Sequence, residues 1–273
     1  MPPRLLTPND LPQAMLLKEA AGWNQTRQDW HNVLALAPDR CFGIECDGIL
    51  ASTTTTVCYG RELAWIGMVL THPEYRGLGL ARRLMEHALE NLEARQVEWI
   101  KLDATDMGRP LYLRLGFEDD CIIERWGRSP GPVAAPSGLP TWVPERGDID
   151  RQAFGADRLQ LLRTLAPMGS AAANESDYAM GRPGSKAAYF GPCVSRSVEA
   201  ARDLLCWFLS QHPQEAVYWD LLPANAEALR LARDFGFQPL RKLVRMARRG
   251  VAGADKFMHD DSLVFAIAGF EYG

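Results

Sequence analysis

One segment of the sequence combines glycines with an arginine in a pattern that suits anion binding. Glycine lets the backbone approach a ligand closely. The first turn of a helix has N–H groups without internal partners and carries a partial positive charge. A phosphate or pyrophosphate is therefore the expected ligand, with the arginine as a fixed cation at the rim. The segment consists of Arg76, Gly77, Leu78, Gly79, Leu80 and Ala81.

Two other phosphate-binding patterns do not fit this segment. A P-loop needs Gly-x-x-x-x-Gly-Lys-Ser/Thr, which the sequence lacks. A dinucleotide fingerprint needs a small residue where Arg82 stands, and its first glycine must follow the strand directly, whereas Pro73 to Arg76 intervene here. A Rossmann fold is therefore disfavoured, and a nucleotide-phosphate enzyme of another class stays as an alternative.

The elements on either side of this segment are predicted to hold it in place. Glu62 to Thr71 is apolar on both faces, which is typical of a central strand. Gly67 inside it predicts a bulge or the close approach of a ligand. Leu80 to Arg95 has apolar residues at helical spacing on one face and charged residues on the other, which predicts a helix. A strand at Val97 to Ala104 and a short helix at Arg109 to Leu115 follow.

Length and charge limit the class of protein. The chain has 273 residues, enough for one large domain or two ordinary ones, and 47% of them are hydrophobic. A net charge of −4 gives no basic field for nucleic acid. No apolar run approaches the roughly 18 residues of a membrane span, and the first residues lack the apolar core of a signal peptide. We therefore expect a cytoplasmic protein that binds neither nucleic acid nor membranes.

The cysteines and histidines show no metal-binding pattern. No two cysteines have the Cys-x-x-Cys spacing of zinc or redox sites, and the five histidines lack ligand spacing. We expect reduced thiols in or near the core and no bound metal. The six cysteines are Cys41, Cys46, Cys58, Cys121, Cys193 and Cys206.

An internal repeat divides the chain into two halves. Leu111 to Phe117 (LYLRLGF) is similar to Leu231 to Phe237 (LARDFGF). Between the halves, the stretch from Gly127 to Gly147 contains five prolines and four glycines, which is typical of a linker. We therefore predict a domain at 1–127, a linker at 128–148 and a domain at 149–273.

Two motifs resemble the GNAT superfamily of N-acetyltransferases. The family's pyrophosphate loop, Arg/Gln-x-x-Gly-x-Gly/Ala, is matched by Arg76, Gly79 and Ala81. About thirty residues later the family has Tyr-x-x-x-Gly-Phe, matched by Tyr112 and by Gly116-Phe117. The resemblance implies two α/β (α+β) GNAT-like domains, each a mixed, mostly antiparallel sheet flanked by helices, with a degenerate second copy.

The resemblance also implies how acetyl-CoA is held. In the family, the strand before the loop carries a bulge and splays from its neighbour, and its backbone contacts the pantetheine arm. By position, these backbone groups belong to Val69, Leu70 and Thr71. The amides of the loop from Arg76 to Ala81 would bind the pyrophosphate.

Acetyl transfer to an amine requires a base that accepts a proton and an acid that donates one, and the sequence offers candidates for both. An aliphatic amine is mostly protonated at neutral pH and must lose a proton before it attacks the thioester. Glu62 and Asp103 are the candidate bases. Tyr112 occupies the family's position for the general acid, which protonates the leaving thiolate. The acceptor is a small-molecule or peptide amine that the sequence does not identify, and a homodimer is one option for the assembly.

The second copy differs from the first at the positions that carry chemistry. Ala232 stands where Tyr112 stands in the first copy, and only Val194 to Ser197 separate a predicted strand from the next helix. We therefore expect one acetyl-CoA per chain. Asn225 precedes the second short helix, either as a remnant of a ligand-binding residue or as a helix cap. A catalytically silent acetyl-CoA-binding interaction module is the alternative for the whole chain.

Overall fold

The computed structural model describes residues 2–142, 147–253 and 255–273, which form two compact units. The first unit comprises Met1–Asp119, Met246–Asp255 and Phe270–Gly273, and the second comprises Asp120–Arg245 and Lys256–Gly269. Two short segments from late in the sequence thus join the first unit, and the domain boundary at residue 127 stays a prediction. None of the described helices is long and apolar enough to cross a membrane.

The first unit contains a sheet with one parallel pair of strands among antiparallel ones. Its strand order is β1-β2-β3-β4-β5; neighbours from β1 to β4 run antiparallel, while β4 and β5 run parallel. The elements in chain order are β1 (Arg4–Leu5), α1 (Leu11–Ala20), α2 (Arg27–Leu36), β2 (Phe42–Cys46), β3 (Ile49–Tyr59), β4 (Leu63–Thr71), α3 (Leu80–Ala94), β5 (Trp99–Ala104) and α4 (Arg109–Arg114).

The helix after the glycine loop packs its apolar stripe on this sheet. Leu80, Leu84 and Ala88 of α3 form a buried cluster with Phe42 and Ile44 of β2. These apolar side chains recur every four residues, so one face of the helix lies on the sheet and the other remains polar. The packing fixes the start of α3, and therefore the end of the glycine loop, against β2.

The second unit repeats the same plan. Its strand order is β11-β6-β10-β9-β8-β7, with β12 paired to β9; β9 and β10 run parallel and β7, β8 and β9 run antiparallel. The elements are β6 (Glu118–Arg128), α5 (Asp148–Phe154), α6 (Leu159–Leu165), β7 (Ser170–Ala172), β8 (Tyr178–Arg182), β9 (Ala188–Val194), α7 (Val198–Gln211), β10 (Val217–Leu221), α8 (Ala226–Asp234), β11 (Gln238–Arg249) and β12 (Val264–Ala266).

The strands β6 and β11 do not belong wholly to the units in which their places in the sequence would put them. β6 follows the first copy in sequence but pairs antiparallel with β10 of the second unit, with Trp126 opposite Trp219. The residues Met246–Arg249 at the end of β11 belong to the first unit, where β11 follows β5 in the strand order. Each unit is a mixed α/β sheet with mostly antiparallel strands flanked by helices, as the sequence predicts.

The two short helices of the repeat end in the same way. The amide of Phe117 donates to the carbonyl of Tyr112 at 3.1 Å, and that of Phe237 donates to Ala232 at 2.9 Å. Gly116 and Gly236 both adopt positive φ, +81° and +76°, a backbone conformation that favours glycine at a helix C-terminus. The sequence repeat is therefore also a structural repeat.

The described part of the predicted linker packs against the second unit. Trp142 stacks on Tyr178 with ring centroids 3.9 Å apart, and its carbonyl accepts a hydrogen bond from Ser170 Oγ. The carbonyl of Pro140 accepts one from the amide of Ala172. The rest of the linker prediction, at 143–146, lies outside the described residues.

Candidate active site

A bulge interrupts β4 directly after Gly67. Thr53 of β3 pairs with Leu70, but two residues later Thr55 pairs with Gly67, so β4 carries one residue more than β3. Met68 has φ +47°, a left-handed conformation that costs a residue with a side chain about 1–2 kcal/mol. Such strain is characteristic of functional sites. The bulge confirms what the family resemblance implied at this position.

Hydroxyl groups of β3 hold the bulged backbone. Thr53 Oγ1 donates to the carbonyl of Met68 at 2.8 Å, and Ser52 Oγ donates to the carbonyl of Leu70 at 2.7 Å. The hydroxyls of Ser52 and Thr71 also share a hydrogen bond of 2.9 Å. Both residues of β3 are buried, so these bonds fix the carbonyl directions on either side of the bulge.

β4 separates from β5 shortly before the bulge, and the described residues of the two strands form no ladder from Ile66 onward. Among the described residues, the two strands pair over Leu63–Trp65 and Trp99–Lys101 alone. Ile66–Thr71 of β4 and Leu102–Ala104 of β5 therefore have no ladder between them. A strand edge that lacks a neighbour presents backbone N–H and C=O groups to a ligand. Val69, Leu70 and Thr71 lie on this edge, and Val69 and Thr71 are half-buried.

The loop from Arg76 to Ala81 is open and begins α3. Gly77 and Gly79 have φ of +80° and +74°, and space is empty where a Cβ would stand on either residue. The amide of Arg83 donates to the carbonyl of Gly79 at 3.1 Å, in the first α-helical bond of α3. The preceding helical amides have no partner inside the helix and point toward the loop. This is the geometry of an anion site, with the exposed side chain of Arg76 beside it.

Replacing Gly79 by alanine is expected to lower the free energy of unfolding by about 1–2 kcal/mol. The reason is backbone strain alone, since no atom lies within 4 Å of the added Cβ. The matched control is Gly138→Ala, where space is equally open and φ is outside the left-handed region. Chemical denaturation checks the prediction, and equal unfolding free energies for the two variants would contradict it.

Tyr112 lies on α4, which follows the separated end of β5. Its ring packs on the backbone of Gly108, where a Cβ would be 2.9 Å from Tyr112 Cε2, and meets the edge of Phe117. The side chain is buried, and this burial raises the pKa of the Tyr112 phenol above its ordinary value of 10. The hydroxyl is therefore protonated at neutral pH, as a proton donor must be.

The two carboxylates singled out from the sequence lie in different places. Glu62 lies in the turn before β4, its side chain folds over Gly60, and it is six residues from Met68, or about 20 Å along a strand. This position does not favour a role at the bulge. Asp103 lies on the unpaired end of β5. Because Trp65 pairs with Lys101, the alternation of side chains places Asp103 on the face that carries Trp65.

A segment that the sequence analysis did not single out also reaches this face. Phe270–Gly273 belongs to the first unit and crosses β4 at Gly67. A Cβ on Gly67 would lie 2.9 Å from the Cα of Glu271. The one sequence signal for this contact is Gly67 itself, because a glycine inside a strand often marks a close backbone approach.

In the second unit, a strand of the chain itself fills the gap that corresponds to the separation of β4 from β5. β9 and β10 pair over Ala188–Phe190 and Val217–Trp219. Past this point β9 pairs with β12 instead, with Val194 opposite Val264 and Cys193 opposite Ala266. Trp219 Nε1 donates to the carbonyl of Phe265 at 2.8 Å. β12 therefore occupies the place where β9 and β10 separate.

Asn225 holds β12 in this position. Its Nδ2 donates to the carbonyls of Ser262 and Val264, both at 3.1 Å, while its Oδ1 accepts from the amide of Ala228 at the start of α8. Asn225 is therefore a helix cap and also a ligand of its own chain. Ala232 is buried at the position that corresponds to Tyr112.

The thiols and acidic groups of the chain form no metal site that the structure reveals. Among the described residues, no group of three or more histidine, cysteine, aspartate or glutamate side chains is placed to hold a metal ion. Cysteines are buried at positions 41, 46 and 193 and half-buried at positions 58, 121 and 206. They lie in or near the core, as the sequence analysis expects.

Two family models match the chain, one for each half. Both are described as an acetyltransferase (GNAT) domain; one matches residues 37–119 and the other residues 147–266. The first match includes the bulge, the glycine loop and Tyr112. The second includes β9, β10 and β12. Among curated proteins, none is significantly similar to this chain.

Solved structures share the fold over nearly the full length. A Pyrococcus horikoshii protein that was assigned as an acetyltransferase is 22% identical, with a TM-score of 0.86 over 99% of this chain and 95% of that chain. A GCN5-related N-acetyltransferase from Sphaerobacter thermophilus is 17% identical, with a TM-score of 0.65 over 94% and 98%. A tandem GNAT protein from the clavulanic acid biosynthesis pathway is 18% identical, with a TM-score of 0.61 over 93% and 99%.

Proposed function

We propose, from the premise that this chain belongs to the GNAT acetyltransferases and carries two of their domains in tandem, that its first unit transfers an acetyl group from acetyl-CoA to a primary amine. One observation carries the proposal: the bulged β4 separates from β5 and leads into an open glycine loop at the start of α3. In the second unit the corresponding opening holds β12, so we assign the transfer to the first unit and expect one acetyl-CoA per chain.

Acetyl-CoA fits the groups that line the opening of the first unit. The pyrophosphate is an anion, and the unbonded amides at the start of α3 together with Arg76 suit it. The pantetheine arm contains amides, and the uncovered edge of β4 at Val69, Leu70 and Thr71 offers them backbone partners. Acetyl-CoA supplies the activated acetyl group when bound, and the proposal includes no metal.

Tyr112 is the proposed general acid. A thiolate that leaves a thioester gains from a proton, and the phenol of Tyr112 keeps its proton at neutral pH because burial disfavours the charged form. A backbone N–H near Val69 or Leu70 would stabilise the negative charge that develops on the carbonyl oxygen. Of the two carboxylates taken from the sequence, Asp103 is the better placed to accept the amine proton, directly or through water.

The test is transfer by the purified protein with acetyl-CoA and a panel of amines. The panel contains a polyamine, an amino acid, an aminoglycoside and a peptide with a free N-terminus. We expect release of CoA, an acetylated product for at least one amine, and one acetyl-CoA bound per chain in calorimetry. Binding of acetyl-CoA without release of CoA for any amine would support the silent interaction module instead.

Competition between nucleotides tests the remaining alternative. A nucleotide-phosphate enzyme of another class would bind NAD tightly and fail to bind CoA. We expect the reverse order of affinities, because the glycine loop lacks the third small residue of the dinucleotide pattern at Arg82. A cytoplasmic location and a homodimer stay predictions, and size-exclusion chromatography with light scattering would test the homodimer.

A further inference from the structure

The segment Phe270–Gly273 brings one carboxylate to the bulge of β4. The Cα of Glu271 would be 2.9 Å from a Cβ on Gly67, and its carbonyl oxygen would be 3.3 Å away. Gly67 directly precedes Met68, the strained residue of the bulge. Glu271 is 2% exposed. Glu271 can approach β4 this closely because Gly67 has no side chain.

Hydrogen bonds on both sides of Glu271 fix the segment. Trp65 Nε1 of β4 donates to the carbonyl of Phe270 at 3.0 Å, and Tyr59 Oη of β3 donates to the carbonyl of Tyr272 at 2.6 Å. Tyr272 Oη in turn donates to the carbonyl of Asp29 at 3.2 Å. Groups from two strands and a helix therefore hold the residues that flank Glu271.

The surroundings of Glu271 include polar atoms that lack a hydrogen-bond partner. Gln25 is 6% exposed; its Nε2 donates to Glu271 Oε2 at 2.8 Å, while its Oε1 is buried without a partner. Thr55 Oγ1 is also buried without a partner, and Thr55 pairs with Gly67 across β3 and β4. Buried polar atoms are normally hydrogen-bonded, so each of these two atoms offers a place for a hydrogen bond to a polar ligand.

We propose that Glu271 is a catalytic residue of the first unit, which binds the ammonium group of the acceptor and takes its proton, and that Gln25 Oε1 accepts a second N–H of that group. The inference rests on the proposed function and assigns the acceptor to the aliphatic primary amines, which are cations at neutral pH. An ammonium group has three donors and no acceptor, so it matches a carboxylate and an amide oxygen.

The carboxylate of Glu271 takes a proton from the ammonium, which leaves a neutral amine and a neutral carboxylic acid, the forms that a buried site favours. The amine lone pair forms the C–N bond, and the C–S bond breaks with its electron pair on sulfur. Tyr112 protonates the sulfur and regains a proton from the amide nitrogen. The acid form of Glu271 then releases its proton to solvent.

The test compares Glu271→Gln with Glu90→Gln, an exposed glutamate on α3, using two acceptors of the same reaction. Butylamine is protonated at neutral pH, whereas an arylamine is already neutral. We expect Glu271→Gln to lose about 100-fold in kcat/KM with butylamine, the usual effect of removing a general base, and little with the arylamine. Affinity for acetyl-CoA, measured by calorimetry, reports whether the variant is folded.

A binding measurement keeps the inference separate from the proposed function. Titration of butylamine into the CoA-bound wild type should give saturable binding that Glu271→Gln abolishes and Gln25→Leu weakens about tenfold, the effect of one hydrogen bond to a charged group. Absence of transfer by the wild type with every amine would contradict the proposed function, and this titration would still decide the role of Glu271. Gln25→Leu keeps the carboxylate and so tests the site if Glu271→Gln does not fold.

Three results would overturn the inference. The first is wild-type transfer to butylamine by Glu271→Gln. The second is an equal loss with butylamine and the arylamine, which indicates a structural role. The third is a selective loss with butylamine in Asp103→Asn but not in Glu271→Gln, which would make Asp103 the base.

Discussion

Replacing Tyr112 by phenylalanine is expected to lower kcat for acetyl transfer by about 10²–10⁴-fold, the range for loss of a general acid, and to leave the affinity for acetyl-CoA nearly unchanged. Phenylalanine keeps the ring that packs on Gly108 and Phe117 and removes only the hydroxyl group. Steady-state kinetics gives kcat, and calorimetry gives the affinity.

A matched variant and a pH profile make this prediction specific. Tyr218→Phe removes a phenol from the second unit, where the ring packs under Arg125, and should transfer acetyl groups like the wild type. Because burial raises the pKa of Tyr112, its protonated and active form persists to higher pH than that of an exposed tyrosine. The alkaline fall in kcat due to this group is therefore expected above pH 10. Normal turnover by Tyr112→Phe would assign the acid to another group.

Replacing Asp220 by alanine is expected to lower the free energy of unfolding by about 3–5 kcal/mol, the effect of removing one partner of a buried ion pair. Arg125 donates to both carboxylate oxygens of Asp220, at 2.7 and 2.6 Å, and the two side chains are 6% and 0% exposed. Without the carboxylate, the guanidinium group would stay buried and lose its two charge-assisted hydrogen bonds.

An exposed ion pair in the same unit is the control for this prediction. Glu227 and Arg230 are 52% and 58% exposed, and exposed pairs contribute about 0–1 kcal/mol. Glu227→Ala should therefore shift the urea midpoint little. Tryptophan fluorescence, to which Trp219 on the same strand as Asp220 contributes, follows the unfolding. Equal midpoints for Asp220→Ala and Glu227→Ala would show that burial does not strengthen the pair.

The parts of the site that the sequence predicts are built by residues close together in the chain. The glycine loop depends on a few consecutive residues, because positive φ at Gly77 and Gly79 and the start of α3 are local properties. The end of the helix that carries Tyr112 also depends on a few consecutive residues. For this reason the repeat is visible both in the sequence and in the backbone hydrogen bonds. The bulge near Gly67 is predicted by a glycine inside a strand and by the family resemblance, and not by periodicity.

The parts that the sequence does not predict depend on pairing between distant segments. β6 follows the first copy in sequence, yet it pairs with β10, since the pattern of a strand specifies which face is buried but does not name its neighbour. Glu271 is about 200 residues from Gly67 in sequence, and no spacing rule connects them. Long-range contacts of this kind are decided by which strand edge or glycine leaves space for another piece of backbone.

Because β12 occupies the gap between β9 and β10, any ligand for that gap would have to compete with a segment of the same chain. A covalently attached segment acts at an effective concentration that reaches the millimolar range for short connections. Asn225 and Trp219 donate hydrogen bonds to its carbonyls, so a diffusing molecule would have to displace a segment that is covalently attached. Raising the concentration of acetyl-CoA would not recruit this site, and restoring a glycine loop before α7 would not reopen it unless β12 were also released.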